Sequence, residues 1–213
     1  MEPERLAELV ARKSGASAVR VDNLRKLSGG AVQENWAVDL TLEDEFVRKI
    51  PAVVRCDAQS GVAESRTRAQ EFLLLSLAFA GGVTVPEPLW LGEKGVLNGD
   101  FFVMRRVEGV AAGHRLVRDT SLGGDRVRLT ERLGEEIARI QRLQPGEEFS
   151  FLERPSEHPA LHFVHKSRAF LDQLEAAYPA LEWGLRWLER TVPEGSWDSR
   201  RLVVAPARHC STR

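Results

Sequence analysis

The positions of hydrophobic residues along the chain predict strands, one long helix, further strands and then only helices. Leu6, Leu9 and Val10 have the i, i+3, i+4 spacing of an amphipathic helix. Between Trp36 and Thr41, apolar and polar residues alternate as they do in a half-buried strand. Further strands are predicted at 19–27, 50–55, 89–91 and 101–106, and further helices at 64–80, 129–143, 163–178 and 181–188. Pro179 is expected to end the helix at 163–178. This order of elements predicts an α+β fold.

A glycine pair separates the first two predicted strands. Gly29 and Gly30 lie between Leu27 and the strand that contains Trp36, so they predict a hairpin turn and not the strand-to-helix turn of a dinucleotide-binding fold. Because glycine has no side chain, the backbone N–H groups of both residues can face an anion directly. The alternative is an ordinary hairpin turn without a ligand.

Arg55 and Glu71 carry the charges that suit a phosphate site. Arg55 ends the third predicted strand, and Glu71 lies on the helix that follows it. A guanidinium group can bind phosphate oxygens in a bidentate manner and still pair with a carboxylate. Glu64 is a competing partner, although its place at the start of the helix suits an interaction with the helix dipole. The other alternative is a surface ion pair that contributes little free energy.

Two further features follow along the chain: Val-Pro-Glu-Pro at 85–88, and a strand at 101–106 that continues into the segment ending at Gly109. The order of all these features resembles the order found in a known family. It is similar to the N-lobe of the aminoglycoside-phosphotransferase-like (choline-kinase-like) small-molecule kinases, and the similarity covers about residues 20–203. The resemblance implies a protein-kinase-like fold. A complete nucleotide-binding N-lobe, an antiparallel sheet plus one long helix, is expected at 1–108, and a partial helical C-lobe at 109–203.

The same resemblance implies an activity, the ATP-dependent phosphorylation of a hydroxyl group on a small molecule, with Mg²⁺ as the metal ion of the family. The residues that it implies for ATP binding are Gly29, Gly30, Arg55, Glu71, Met104, Arg105 and Val107. The glycines and Arg55 are expected at the phosphates, with Glu71 orienting Arg55. Met104 is expected to line the adenine pocket, and the backbone of Arg105 and Val107 to pair with the adenine edge.

The similarity to the family stops at Val204. Such kinases continue with a His-x-Asp catalytic loop and a later metal-binding Asp, whereas residues 204–213 are unlike the family and no Asp or Glu follows Asp198. Phosphoryl transfer needs a base for the acceptor hydroxyl and carboxylates for Mg²⁺. We therefore expect a truncated, inactive phosphotransferase without catalytic residues of its own. The alternative is a pseudokinase, a non-catalytic protein that binds a nucleotide or a partner.

Charge and hydropathy argue against nucleic acid and membranes as binding partners of this chain. The formal net charge of −1 supplies no basic excess for nucleic acid, and no apolar run approaches the roughly 20 residues of a membrane helix. Cys56 and Cys210 are too far apart in sequence to form a metal motif, so we expect reduced thiols in a cytoplasmic protein.

A histidine pair is the remaining candidate for metal chemistry. His162 and His165 are expected to share a face of one helix and so to be able to bind a metal ion. No third ligand lies within reach by sequence spacing, so surface histidines are the alternative.

Overall fold

A computed structural model of the chain describes residues 2–27, 33–57, 66–97, 99–109 and 113–193, and it confirms the predicted α+β fold. The strands are β1 (Ala18–Lys26), β2 (Gln33–Glu43), β3 (Val47–Asp57), β4 (Pro88–Leu91) and β5 (Phe101–Arg105). The helices are α1 (Pro3–Ser14), α2 (Arg68–Ala80), α3 (Gly113–Arg118), α4 (Arg126–Arg142), α5 (Pro159–Leu171) and α6 (Pro179–Arg190), with one 3₁₀ turn at Glu147–Phe149.

The strands form one antiparallel sheet in the order β1-β2-β3-β5-β4. β2 and β3 form the longest ladder, which runs from the pair Gln33–Asp57 to the pair Glu43–Val47. β5 returns beside β3 after the chain has passed through α2 and β4. Arg55 on the central strand β3 therefore has a neighbour on each side, Asn35 on β2 and Phe102 on β5.

The alternation of apolar and polar residues places one face of the sheet in a core. Val38 and Leu40 on β2 are fully buried together with Val54 on β3, because side chains two apart on a strand point to the same face. Leu6 and Leu9 of α1 belong to the same cluster, as their helical spacing predicted. The core fixes the register of β3 and thereby the position of its polar residues.

The helix α2 begins at a complete capping box. The Thr67 hydroxyl oxygen accepts a hydrogen bond from the Gln70 N–H, and the Gln70 side chain accepts one from the Thr67 N–H. Phe72 of α2 meets Phe102 of β5 edge to face, with ring centroids 5.8 Å apart. The cap and the aromatic contact together fix the first two turns of α2 against β5.

Among the later helices, α5 differs most from its predicted bounds. The helix predicted at 163–178 is observed at Pro159–Leu171, where Pro159 occupies the first turn and the His158 ring accepts a hydrogen bond from the Ala160 N–H. Pro179, expected to stop that helix, instead begins the next one, α6. Proline fits the first turn of a helix because the N–H it lacks has no partner there.

The chain divides into two compact units, one reaching Leu143 and the other beginning at Gln144. The sheet, α1, α2, α3 and α4 belong to the first unit, and α5 and α6 to the second. The lobe boundary expected after residue 108 stays a prediction. In the described ranges, no helix combines the length and apolar character needed to cross a membrane.

Candidate functional site

The structure brings Arg55 and Glu71 together at the end of β3. Arg55 Nε donates a 2.8 Å hydrogen bond to Glu71 Oε2, and both side chains are about one quarter exposed, at 26% and 22%. Arg55 Nη1 also lies 3.4 Å from Asn35 Oδ1 on the neighbouring strand. The guanidinium is thus held on one side by a helix carboxylate and on the other by a strand amide, an arrangement that fixes its plane.

A second arginine, which the sequence analysis did not single out, shares the same carboxylate oxygen. Arg68, the first residue of α2, donates from Nη1 to Glu71 Oε2 at 2.6 Å and from Nη2 to the Arg66 carbonyl at 2.8 Å. Its side chain is 1% exposed. The spacing of three residues between Arg68 and Glu71 was visible in the sequence and is a known helical pairing distance, but the burial of the arginine was not.

Arg68 Nε has an ion pair without a hydrogen bond. It lies 2.9 Å from Asp57 Oδ1, at the end of β3, yet no described atom accepts a properly directed hydrogen bond from it. The distance is that of a salt bridge, and the missing directionality means that Asp57 contributes charge rather than orientation. Arg68 therefore depends on Glu71 and Arg66 for its directed contacts.

The residues expected at the adenine pocket lie at the end of β5 and directly after it. Met104 is half-buried and is paired with Val53 of β3. The Arg105 N–H donates to the Glu87 carbonyl at 2.8 Å, so this donor is already used within the sheet. Val107 is 66% exposed, and its backbone has no hydrogen-bond partner among the described residues. Of these two backbone N–H groups, that of Arg105 is paired, whereas that of Val107 has no partner among the described residues.

Asp39 fixes the segment that follows β5. Its Oδ1 accepts a 2.7 Å hydrogen bond from Arg106 Nη2, and its Oδ2 accepts one of 2.7 Å from Asn23 Nδ2. The hydrogen bond from Asn23 and then that from Arg106 hold the pKa of the Asp39 carboxyl below its ordinary value of 3.8. No sequence pattern indicated this network, because its three residues lie far apart along the chain.

Gly29 and Gly30, the expected phosphate-binding turn, lie outside the described residues. The strands that lead into and out of this turn are described, and the Leu27 N–H donates to the Asn35 carbonyl at 2.8 Å. The glycine pair thus lies between two paired strands, and its role stays a prediction. Glu64, the competing carboxylate, also lies outside the described residues.

The histidines of α5 lie among carboxylates. His162 Nε2 is 3.2 Å from Glu153 Oε2, and His165 Nδ1 is 3.0 Å from Glu157 Oε1. His165 Nε2 also approaches Glu189 of α6, at 3.4 Å. Within the part of the chain that is described, no group of three or more His, Cys, Asp or Glu residues is arranged to hold a metal ion. The contacts are side-chain contacts that link α5 with α6 and with the segment before α5.

Comparison with known families identifies the lineage of the chain. Residues 23–204 match the APH family, described as the phosphotransferase enzyme family, and no curated protein matches the chain. The matched range begins within β1 and includes β2–β5, α2 and the later helices of the described residues. The resemblance to aminoglycoside-phosphotransferase-like kinases is thereby confirmed, and the chain belongs to the phosphotransferase enzyme family.

Proposed function

We propose that this chain binds ATP at the end of its sheet, as part of a phosphotransferase lineage that phosphorylates hydroxyl groups of small molecules. The observation that carries the proposal is the 2.8 Å hydrogen bond between Arg55 and Glu71. Kinase-like sites use a basic residue on this strand to contact the α- and β-phosphates, and a helix carboxylate to orient it. ATP supplies the phosphoryl group, and the residues described here supply its binding and orientation.

The geometry of Arg55 supports a phosphate contact. Nε is used by Glu71 and Nη1 by Asn35, whereas Nη2 makes no hydrogen bond to any described residue. An oriented guanidinium with a remaining donor can bind a phosphate oxygen at little entropic cost. Gly29 and Gly30 are proposed to add backbone N–H groups on the other side of the phosphates.

The segment after β5 supports an adenine contact. We assign Met104 to the wall of the pocket and the Val107 N–H to the adenine edge, because that donor has no partner among the described residues. The Arg105 N–H already pairs with Glu87, so the contribution of Arg105 would have to come from its carbonyl oxygen. The side chain of Arg105 pairs with the Glu87 carboxylate at 2.6 Å.

Phosphoryl transfer needs a base for the acceptor hydroxyl and carboxylates for Mg²⁺ in addition to nucleotide binding. The described residues contain no cluster suited to Mg²⁺, and residues 199–213 contain no Asp or Glu. We therefore propose no transfer step through a metal ion. Residues 1–213, tested by themselves, are expected to bind nucleotide without transferring phosphate to a panel of amino alcohols, sugars and hydroxyacyl thioesters. Robust turnover that Arg55→Ala abolishes would show that another carboxylate serves as the base.

Titration calorimetry with ATP tests the binding proposal. We expect weak binding, and Arg55→Ala should weaken it by about tenfold, the scale of one lost charge-assisted hydrogen bond. Arg12→Ala is the matched control, because Arg12 makes a 2.9 Å ion pair with Glu93 on the same compact unit and is far along the chain from the proposed site. Equal ATP affinity in the parent chain and in Arg55→Ala would remove Arg55 from the site.

A further inference from the structure

Arg68 is a buried cation at a position where helix stability alone does not require one. It is 1% exposed and occupies the first position of α2. Arginine is almost never fully buried unless it is paired, and a positive charge at a helix N-terminus is opposed by the helix dipole. The free-energy costs of burying this charge and of placing it at the helix N-terminus must therefore be offset by the contacts that Arg68 makes.

Those contacts converge on the carboxylate that orients Arg55. Glu71 Oε2 accepts from Arg68 Nη1 at 2.6 Å and from Arg55 Nε at 2.8 Å. Since Arg68 and Glu71 lie three residues apart on one helix, Arg68 fixes the Glu71 carboxylate relative to α2. The capping box at Thr67 fixes the start of that helix. Arg55 on β3 thus donates to a carboxylate whose position is already set.

We propose that Arg68 is a positioning residue for nucleotide phosphates: it holds the Glu71 carboxylate and, through it, the guanidinium of Arg55. This inference rests on the proposed function, because it assigns the phosphates to Arg55. At 1% exposure Arg68 cannot contact the nucleotide itself, so it acts only through Glu71. Removing Arg68 takes away the contact that holds Glu71 Oε2 from within α2. Arg55 then donates to a less firmly placed carboxylate, and its remaining donor is directed less well to the phosphates.

The discriminating measurement compares ATP with adenosine, which has no phosphates. In Arg68→Met, which keeps an unbranched apolar side chain but removes the guanidinium and its charge, we expect the ATP dissociation constant to rise about fivefold, part of the effect of one charge-assisted contact. Ligand-observed NMR should give the same adenosine affinity as in the parent chain. A purely structural role for Arg68 predicts equal losses for both ligands, and that result would overturn the proposal.

A double-mutant cycle with Arg55 provides the second test. If Arg68 acts through Arg55, adding Arg68→Met to Arg55→Ala should leave the ATP affinity of Arg55→Ala unchanged, whereas independent roles would add. Arg68→Lys should give an intermediate affinity, because one ammonium cannot reproduce both directed contacts of the guanidinium. Arg12→Ala serves as the control, and thermal unfolding checks that each variant is folded.

Each failure has a different meaning. If the parent chain does not bind ATP, or binds it equally well without Arg55, the proposed function is wrong. If Arg55→Ala weakens ATP binding while a folded Arg68→Met binds like the parent, only the positioning role is wrong. Should Arg68→Met not fold, Arg68→Lys decides alone: weaker ATP binding with unchanged adenosine binding supports the role, and parent-like ATP binding overturns it.

Discussion

Asn23 and Asp39 are joined across β1 and β2 by a 2.7 Å hydrogen bond from Asn23 Nδ2 to Asp39 Oδ2. Asn23 lies at a register shift in β1 and has a positive φ of 52°, a conformation that asparagine tolerates better than most residues. The shift carries the Asn23 amide to Asp39, whose other oxygen accepts from Arg106. One carboxylate thereby connects two strands of the sheet with the segment that follows β5.

Replacing Asp39 by asparagine should loosen this connection. Asp39→Asn removes the charge that two donors share, and we expect the free energy of unfolding to fall by about 1 kcal/mol, reduced from a fully buried value because the site is partly exposed. Urea denaturation measures the change. Asp22→Asn is the matched control, because Asp22 pairs at 2.8 Å with Arg20 on the exposed part of β1. Equal losses of unfolding free energy from the two substitutions would mean that the Asp39 network stabilises the chain no more than the exposed Asp22–Arg20 pair does.

The contribution of Asp39 should also depend on pH. Because the pKa of Asp39 is lowered from 3.8 in the folded chain, its stabilisation is present above pH 3.8 and is lost as the pH falls through the lower, folded value. The difference in unfolding free energy between the parent and Asp39→Asn should stay constant from pH 7 to pH 5 and shrink below pH 4. A difference that grows on acidification would contradict this assignment.

Some features of the site follow directly from the sequence. Arg55 ends the third predicted strand, and Glu71 lies on the next predicted helix, so their order alone predicted that they could meet. The contribution of Arg68 was not predictable in the same way, because i,i+3 Arg–Glu pairs are common on exposed helix faces. Only the structure shows that the arginine of this pair is buried, with 1% of its side chain exposed, while Glu71 is 22% exposed.

In the fold, the position of Pro179 is the feature that the sequence pattern did not predict correctly. The hydrophobic pattern placed a helix up to Tyr178, with Pro179 as its stop, yet α5 ends at Leu171 and Pro179 starts α6. Proline interrupts a helix at one position and favours the first turn at another. Sequence pattern does not distinguish these roles when the segment before the proline contains good helix formers, as 172–178 does with Leu174, Glu175 and Ala176.

The thiol of Cys56 should be unreactive in the folded chain. Cys56 is 6% exposed on β3, and burial, followed by the charge of Glu34 on the paired strand, raises its pKa to about 11. In a Cys210→Ser background, labelling of Cys56 by a disulfide reagent at pH 8 should be slow in buffer and fast in urea. Rapid labelling without denaturant would show that β3 opens readily.

The raised pKa of Cys56 also makes the free energy of unfolding depend on pH. Because this pKa is raised from 9.0, the stabilisation from the protonated thiol is present below pH 9 and is lost as the pH approaches 11.

The cap of α2 should contribute measurably to stability. Thr67→Ala removes the hydroxyl that accepts from the Gln70 N–H at 3.2 Å, and we expect a loss of about 1 kcal/mol in urea denaturation. Amide exchange at Gln70 and Glu71 should also become faster, because the first turn loses its anchor. Thr130→Ala is the control, since the Thr130 hydroxyl donates to the Arg126 carbonyl within α4 and caps no helix. Equal losses from the two substitutions would remove the capping box as the cause.

The tryptophans of α6 should add exposed apolar surface without adding stability. Trp183 is 72% exposed and Trp187 55% exposed, one turn apart on the same helix. A large exposed side chain gains little free energy from burial, so Trp183→Ser should change the free energy of unfolding by less than about 0.5 kcal/mol. The same substitution should lower the binding of a dye that detects apolar surface. Trp36→Ser is the comparison, because Trp36 is half-buried and its ring nitrogen donates to Glu34 at 3.3 Å, so its loss should destabilise the sheet. If Trp183→Ser destabilises the chain as much as Trp36→Ser does, the indole of Trp183 must be buried in solution.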